Sequence, residues 1–129
     1  MKIFGIGVDI VNNERFAKLS KKNDFVRRIC SKKELVILKN KKNKILYLSK
    51  RFSAKEAFVK SLGSGFRNKL CFTDISILNN KKGKPYFFFN QKLKNILQKK
   101  YRINKFKAHL SLSDEKKYSV SYVILEKFK

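Results

Sequence analysis

Two acidic side chains in apolar surroundings are the groups of this chain best suited to chemistry. Asp9 interrupts residues 3–11, Ile-Phe-Gly-Ile-Gly-Val-Asp-Ile-Val, which predict a strand with apolar residues on both faces. Glu56 lies within residues 52–60, Phe-Ser-Ala-Lys-Glu-Ala-Phe-Val-Lys, which predict a helix. Because an unpaired carboxylate in such a strand costs on the order of several kcal/mol, Asp9 requires a cation or hydrogen-bond donors.

The partner of Asp9 has three candidates at this level. One candidate is a lysine, and a second is the N-terminus of the following helix over residues 12–19, which Asp9 would cap. The third is a divalent ion that Asp9 shares with Glu56. Glu56 and Lys60 stand four residues apart and share a helix face. The simplest interpretation of that segment is an i,i+4 salt bridge in a helix that begins with a capping box at Ser53. These alternatives remain open on the residues alone.

The composition fits one folded domain over residues 1–129. Hydrophobic residues make up 43% of the chain, and 12 Phe and 5 Tyr are enough for a core. Cys30 and Cys71 fit no metal-ligand spacing, nothing supports a disulfide between them, and a reduced, cytosolic setting is the default. No apolar run approaches the roughly 20 residues of a membrane span. We expect a cytoplasmic protein, or an organellar one whose import peptide was removed before residue 1.

The net charge of +24, from 33 Lys and Arg against 9 Asp and Glu, predicts a polyanionic partner. A small basic nucleic-acid-binding protein is the alternative function that this charge suggests. Against it, the lysines are spread along the whole chain, and the excess of Lys, Asn, Ile and Phe is typical of AT-rich coding sequences. The chain also has no Arg-rich arm, helix-turn-helix signal or RNA-binding strand signature.

Hydrophobic spacing and turn signals predict an α+β protein with one long central helix. That helix covers residues 45–62 and ends at Gly63. Shorter helices are predicted over residues 12–19, 24–29 and 93–101 and after a capping box from Ser31 to Glu34. After the opening strand, two hairpins are predicted from strands over residues 73–78, 86–89, 107–113 and 118–126.

Four motifs, in order along the chain, carry a resemblance to a known family. They are Gly-Ile-Gly-Val-Asp-Ile-Val at residues 5–11, Arg-Phe-Ser-Ala-Lys-Glu-Ala-Phe-Val-Lys at residues 51–60 followed by Gly63 and Gly65, Gly-Lys-Pro at residues 83–85, and His-Leu-Ser-Leu-Ser at residues 109–113. Together they resemble the holo-acyl-carrier-protein synthase family of the phosphopantetheinyl transferases. The resemblance implies that family's α+β fold over residues 1–129, with the long helix packed on an antiparallel sheet.

The resemblance also implies a reaction. A magnesium-dependent enzyme would transfer 4'-phosphopantetheine from coenzyme A to a serine of apo acyl carrier protein and release 3',5'-ADP, for fatty acid biosynthesis. Asp9 and Glu56 would hold the Mg²⁺, which takes oxygen ligands and commonly one or two carboxylates. The other acids are weaker candidates, because Asp74 begins a predicted strand and six more fall in helix or turn contexts that predict exposure. The six are Glu14, Asp24, Glu34, Asp114, Glu115 and Glu126.

The same resemblance implies roles for basic residues. Lys60 would neutralise the diphosphate or protonate the leaving group, while Lys55 and Arg51 would lie near the ribose 3'-phosphate or stabilise the fold. The general base is left open between Glu56, a metal-bound water and His109. Further contacts with the coenzyme are expected at Gly63, Ser64, Gly65, Gly83, Pro85 and His109.

His109, the single histidine, alternates with Ser111 and Ser113 on one face of a predicted strand, opposite two leucines. The resemblance implies that this strand lies beside the coenzyme, although a structural role is the simpler interpretation of a lone histidine. Asp114 stands where many members carry a second histidine, which weakens the case for a role of that turn.

The implied partner, acyl carrier protein, is strongly acidic as a class and so gives the positive charge a second explanation. Arg15 and Arg28 stand where the family presents basic residues to that partner, although ordinary surface arginines would look the same. The family also implies a homotrimer with active sites between subunits. Its contacts would use exposed strands, including Phe87 and Phe89.

Overall fold

One long helix crosses a three-stranded antiparallel sheet and organises the fold. The computed structural model describes residues 1–22, 24–63 and 70–128. The helices are α1 Asn13–Leu19, α2 Phe25–Ile29, α3 Lys32–Leu38, α4 Lys44–Leu62 and α5 Gln91–Tyr101, with a 3-10 turn at Phe72–Asp74. The strands are β1 Lys2–Asn12, β2 Ile75–Asn79, β3 Pro85–Phe89, β4 Lys105–Asp114 and β5 Tyr118–Phe128.

The larger sheet has the strand order β1-β5-β4, while β2 and β3 form a separate hairpin. Asp9 of β1 lies opposite Ser121 of β5, which lies opposite Leu112 of β4. Directly paired residues point to the same face of a sheet, and Ser121 is fully buried on the face that α4 covers. The register therefore points all three side chains toward α4.

Two glycines let α4 approach β1 to backbone contact. A Cβ on Gly7 would stand 1.7 Å from the carbonyl oxygen of Ala57, and one on Gly5 would stand 1.8 Å from that of Ser61. One turn earlier in α4, Ser53 donates a hydrogen bond at 3.2 Å to a backbone carbonyl of β1. Small residues four apart on α4 thus follow the strand and set the distance between helix and sheet.

Two apolar clusters hold α4 from its other sides. The larger cluster joins α4 to the β2–β3 hairpin, α5 and β5, and includes the fully buried Phe58, Ile77 and Leu125. The smaller cluster joins the first half of α4 to the three short helices and includes Phe16 and Ile29. With the sheet on one side and these clusters on the others, the direction of each α4 side chain is fixed by packing.

Every predicted helix and strand is present, with bounds within two residues of the prediction. The capping box at Ser31 and Glu34 forms both of its hydrogen bonds, and Gly63 ends α4 with a φ of 83°. The α+β class with a long helix on an antiparallel sheet is therefore confirmed. No helix among the described residues is long and apolar enough to cross a bilayer.

Some local predictions are wrong. Ser53 begins no helix, because it lies buried in the middle of α4. Asp74 lies in the 3-10 turn before β2 and pairs with Lys92 at 3.3 Å. Cys30 and Cys71, for which no disulfide was predicted, are not joined to each other.

We expect Gly7→Ala to lower the free energy of unfolding by more than about 3 kcal/mol, because the new methyl group would force α4 off the strand. Urea unfolding followed by far-UV circular dichroism measures the loss. Gly83→Ala is the matched control, since its φ is 86° and nothing lies within 4 Å of the added Cβ. Backbone strain of about 1 kcal/mol is expected there. Equal losses for the two variants would contradict the close packing described above.

Candidate active site

Asp9, Glu56 and Lys60 meet where the free edge of β1 passes under α4. Glu56 and Lys60 lie one turn apart on the same side of the helix. Lys60 Nζ donates hydrogen bonds to Asp9 Oδ1 at 3.0 Å and to the carbonyl oxygen of Val8 at 3.1 Å. Among the described residues Lys60 is therefore paired with Asp9, and the expected Glu56–Lys60 salt bridge is not formed.

The carboxyl groups of Asp9 and Glu56 are partly buried, and Lys60 compensates their negative charge only in part. Burial raises the pKa of Asp9, and the hydrogen bond and charge of Lys60 offset this only in part. Burial, and then the negative charge of Asp9, raise the pKa of Glu56. Oδ2 of Asp9 is buried and has no hydrogen-bond partner in the described part of the chain. A divalent cation that prefers oxygen ligands fits this pair, because it would supply the missing charge.

Three residues expected to contact the coenzyme line a cleft on another side of α4. The cleft has a volume of about 360 Å³, and its walls include Arg51, Gly83 and Pro85 together with Ser111. Arg51 Nη2 donates to Asn79 Oδ1 at 2.8 Å, and Asn79 Nδ2 donates to the carbonyl oxygen of Gly83 at 2.9 Å. Nε of Arg51 is buried without a partner in the described residues. A guanidinium fixed in this way at the wall of a cleft suits an anionic ligand.

The carboxylate pair and this cleft do not share a side of α4. Arg51 and Glu56 are five residues apart, which on an α-helix separates their directions by about 140°. Glu56 lies beside the edge strand β1, whereas the cleft of Arg51 includes β4 at the other edge of the sheet. A single chain therefore presents two separate groups of predicted site residues.

His109 is separated from the carboxylates by the sheet itself. It pairs in register with Ile124, which also pairs with Ile6, and these three side chains point to the face opposite α4. On that face the Nε2 of its imidazole contacts Oε1 of Glu126. Within one chain, the structure does not bring His109 to Asp9.

Lys55 lies in the interior rather than at a surface for ligands. It is 0% exposed, and its ammonium donates to Glu34 Oε1 at 2.5 Å and to the carbonyl oxygens of Ile29 at 2.5 Å and Phe72 at 3.1 Å. Burial lowers the pKa of Lys55, and the charge of Glu34 opposes this. The predicted contact of Lys55 with the ribose 3'-phosphate is therefore not supported. Its position supports the alternative role, which is to stabilise the fold.

The prediction of Glu34 as an exposed acid is wrong. Its side chain is fully buried, and besides Lys55 it accepts hydrogen bonds from the backbone N–H of Ser31 at 3.0 Å and of Ile77 at 2.9 Å. A signal for this pair was present in the sequence, since a lysine between apolar helix positions needs a buried acceptor. No feature of the sequence indicated that Asn79 links Arg51 to the turn that contains Gly83.

The remaining predicted residues lie at helix ends and on the surface. Gly63 closes α4, and its N–H donates to the carbonyl oxygen of Lys60 at 3.0 Å. Arg15 on α1 and Arg28 on α2 are both exposed. Ser64 and Gly65 lie outside the described residues.

Comparisons with known proteins agree on one family. A family model described as the 4'-phosphopantetheinyl transferase superfamily matches residues 5–123. The curated holo-[acyl-carrier-protein] synthase of Pelagibacter ubique is 52% identical over 127 residues, covering 98% of this chain and 99% of that protein. The chain belongs to the holo-[acyl-carrier-protein] synthase family.

Solved structures of this family share the fold. The crystal structure of the holo-[acyl-carrier-protein] synthase from Neisseria meningitidis has a TM-score of 0.88 at 37% identity, covering 98% of this chain and 100% of that one. The holo-(acyl-carrier-protein) synthase from Bacillus anthracis, in complex with CoA (3',5'-ADP), has a TM-score of 0.81 at 30% identity, covering 98% of each chain. The resemblance based on the four motifs is therefore confirmed, and all of them lie within residues 5–123.

For this synthase-family chain we expect Lys55→Met to lower the free energy of unfolding by about 3–5 kcal/mol, because it leaves the Glu34 carboxylate buried without a counter-ion. Adding Glu34→Leu should recover part of the loss, since the double variant buries no charge. Lys50→Met is the control, because Lys50 forms a partly exposed pair with Asp114 at 3.4 Å that is worth less than about 1 kcal/mol. Urea unfolding of the four proteins measures these differences. Similar losses for Lys55→Met and Lys50→Met would be incompatible with a buried ion pair.

Proposed function

We propose that this chain transfers the 4'-phosphopantetheine group of coenzyme A to a serine of an apo acyl carrier protein and releases 3',5'-ADP. The observation that carries the proposal is the meeting of Asp9, Glu56 and Lys60 at the edge of β1, in a chain whose curated relatives are named for this activity. Coenzyme A as the donor is supported by the Bacillus anthracis structure, which is described as a complex with CoA (3',5'-ADP).

Asp9 and Glu56 are the residues that would hold Mg²⁺. When bound, the ion would supply positive charge to the diphosphate of coenzyme A. The described residues contain no cluster of three His, Cys, Asp or Glu side chains, so water and phosphate oxygens would supply the other ligands. This arrangement is common for Mg²⁺ at phosphate sites.

Lys60 and Glu56 have separate tasks in the transfer. The serine oxygen forms a bond to the β-phosphorus, and the bond from that phosphorus to the bridging oxygen breaks, so that the bridging oxygen leaves with 3',5'-ADP. The ammonium of Lys60, whose side chain is 53% exposed, reaches the departing phosphate and neutralises its charge. Within one chain Glu56 is the group placed to accept the serine proton, because His109 of the same chain lies on the opposite face of the sheet. In the trimer proposed below, a water on the ion and the His109 of a neighbouring copy remain the alternative acceptors.

We also propose that the protein acts as a homotrimer with its sites between subunits. The cleft of Arg51 and the imidazole of His109 both lie away from the carboxylates of their own chain, so a neighbouring copy would complete the site. The sheet face that carries His109 is also left uncovered by the residues that the structure describes. On it, Ile6 is 53% exposed, Val8 54% and Ile10 63%. An uncovered apolar face of this kind is typical of a subunit contact.

The expected subunit contact at Phe87 and Phe89 needs correction. Phe89 is only 7% exposed, and both rings pack against Phe58 in the core of their own chain. The alternation of β3 instead turns Tyr86 and Phe88 outward, with 44% and 43% exposure. A contact through this hairpin would therefore use Tyr86 and Phe88.

The carrier protein would dock beside the carboxylate pair. Arg15 and Arg28 are exposed on the two helices that follow β1, and the charge of +24 favours an acidic partner. The product, holo acyl carrier protein, would serve fatty acid biosynthesis, in the bacterial cytoplasm or in an organelle. The comparisons give no support to the alternative of a nucleic-acid-binding protein.

Incubation with apo acyl carrier protein, coenzyme A and Mg²⁺ is expected to increase the carrier mass by one phosphopantetheine group. Asp9→Asn and Glu56→Gln should each lower the initial rate by about 100-fold or more, because the diphosphate charge would be poorly neutralised. Intact-mass spectrometry at several times gives the rates. Glu14→Gln, which removes an exposed acid on α1, should leave the rate unchanged. A fully active double variant would refute the ion site, and no mass increase with the wild type would refute the function.

Light scattering after size exclusion is expected to give the mass of a trimer. Ile6→Lys should yield monomers, because it places a charge on the uncovered face of the sheet. Val36→Lys is the control, since Val36 is 64% exposed on α3 and lies away from that face. A monomer mass for the wild type, or an intact trimer for Ile6→Lys, would count against the assembly.

A further inference from the structure

Ser121 is a buried serine whose hydroxyl has no hydrogen-bond partner among the described residues. It lies on β5 with 0% exposure, between the sheet and α4. Buried polar groups are nearly always hydrogen-bonded, because an unpaired one loses water without a replacement. The unpaired hydroxyl is therefore a buried donor available to an acceptor that comes within its reach.

The register places one candidate acceptor beside it, the carboxylate of Asp9. Asp9 and Ser121 are directly opposite each other in the β1–β5 ladder. The Cβ atoms of such a pair are about 4.5–5.5 Å apart, and both side chains point to the same face. Oδ1 of Asp9 accepts from Lys60, but Oδ2 is buried without a partner in the described part of the chain. An unused donor and an unused acceptor thus occupy neighbouring positions.

A second serine on β5 shows that the unpaired hydroxyl is specific to position 121. Ser119 lies two residues earlier on the same face and is also 0% exposed. Its hydroxyl donates to Asn13 Oδ1 at 2.9 Å and lies 3.2 Å from Ser49 Oγ. The same residue type, at the same depth, is fully hydrogen-bonded when it lies away from Asp9.

We propose that Ser121 is a positioning residue for Asp9. Its hydroxyl donates to Oδ2 in the ion-bound state, and Oδ1 is then held in the direction of Glu56. The inference rests on the proposed function, because it requires a divalent ion at Asp9 and Glu56. Hydrogen bonds to the free oxygen of a ligating carboxylate orient it, and their loss commonly weakens metal binding by about 10–100-fold.

Mn²⁺ is the probe for the test, since its oxygen-ligand preference matches that of Mg²⁺ and electron paramagnetic resonance counts the free ion. Ser121→Ala is expected to raise the Kd for Mn²⁺ by roughly tenfold. Ser119→Ala is the matched control, equally buried on the same strand. It should lower the unfolding temperature, because it breaks hydrogen bonds, while its Kd stays that of the wild type. A wild-type Kd for Ser121→Ala overturns the proposal.

Asp9→Asn separates this inference from the proposed function. If Asp9→Asn abolishes Mn²⁺ binding and Ser121→Ala does not weaken it, only the role of Ser121 fails. If Asp9→Asn binds Mn²⁺ as the wild type does, or the wild type does not bind it, the ion site and the role of Ser121 both fail. Ser121→Cys covers the case in which the alanine variant does not fold. It keeps a weaker donor at similar volume, and its Kd is expected between the wild-type value and a tenfold increase, whereas a wild-type Kd again overturns the proposal.

Discussion

The backbone contact between α4 and β1 is the constraint on which the rest of the structure depends. Because Gly5 and Gly7 have no side chains, backbone carbonyl oxygens of α4 pack directly against the backbone of β1. Asp9 follows two residues later on the same face, so its carboxylate is set against the helix rather than in solvent. The same contact brings Lys60 within hydrogen-bonding distance and partly buries Glu56. The raised pKa values of the two acids are thus a consequence of the packing that stabilises the fold. Close packing removes more of the hydration of the two carboxylates than one ammonium compensates.

A second constraint fixes the rotation of α4 about its axis. Lys55 and Glu56 are consecutive, and one step along a helix turns the side-chain direction by about 100°. Lys55 points to the interior, where its ammonium joins Glu34 to the carbonyl oxygens at the end of α2 and in the 3-10 turn. Glu56 must therefore point toward the edge of β1. The buried pair is costly to desolvate, but it selects one orientation of the helix that apolar packing alone specifies less sharply.

Hydrophobic periodicity and turn residues were enough to predict the helices and strands, since the sequence has clear helix-capping signals at Ser31 and Gly63 and a turn signal at Gly83. The pairing of Asp9 with a lysine was one of the predicted alternatives, but its identity as Lys60 required the angle at which helix and strand cross. The burial of Glu34 was missed for a different reason. A capping box forms equally well on an exposed helix, so its presence in the sequence did not indicate that the β2–β3 hairpin covers Glu34. Depth is a property of the assembled layers, and no single segment encodes it.

The separation of the site residues follows from the same geometry. α4 covers one face of a three-stranded sheet, and the described part of the chain supplies no second layer for the other face. The residues that we propose for the coenzyme site are then divided between the edge of β1, the cleft at β4 and the face with His109. Enclosing a ligand as large as coenzyme A takes more surface than any one of these three places offers alone. A second copy of the chain brings its own cleft and its own uncovered face, and so association would complete the site while it buries the apolar row of β1.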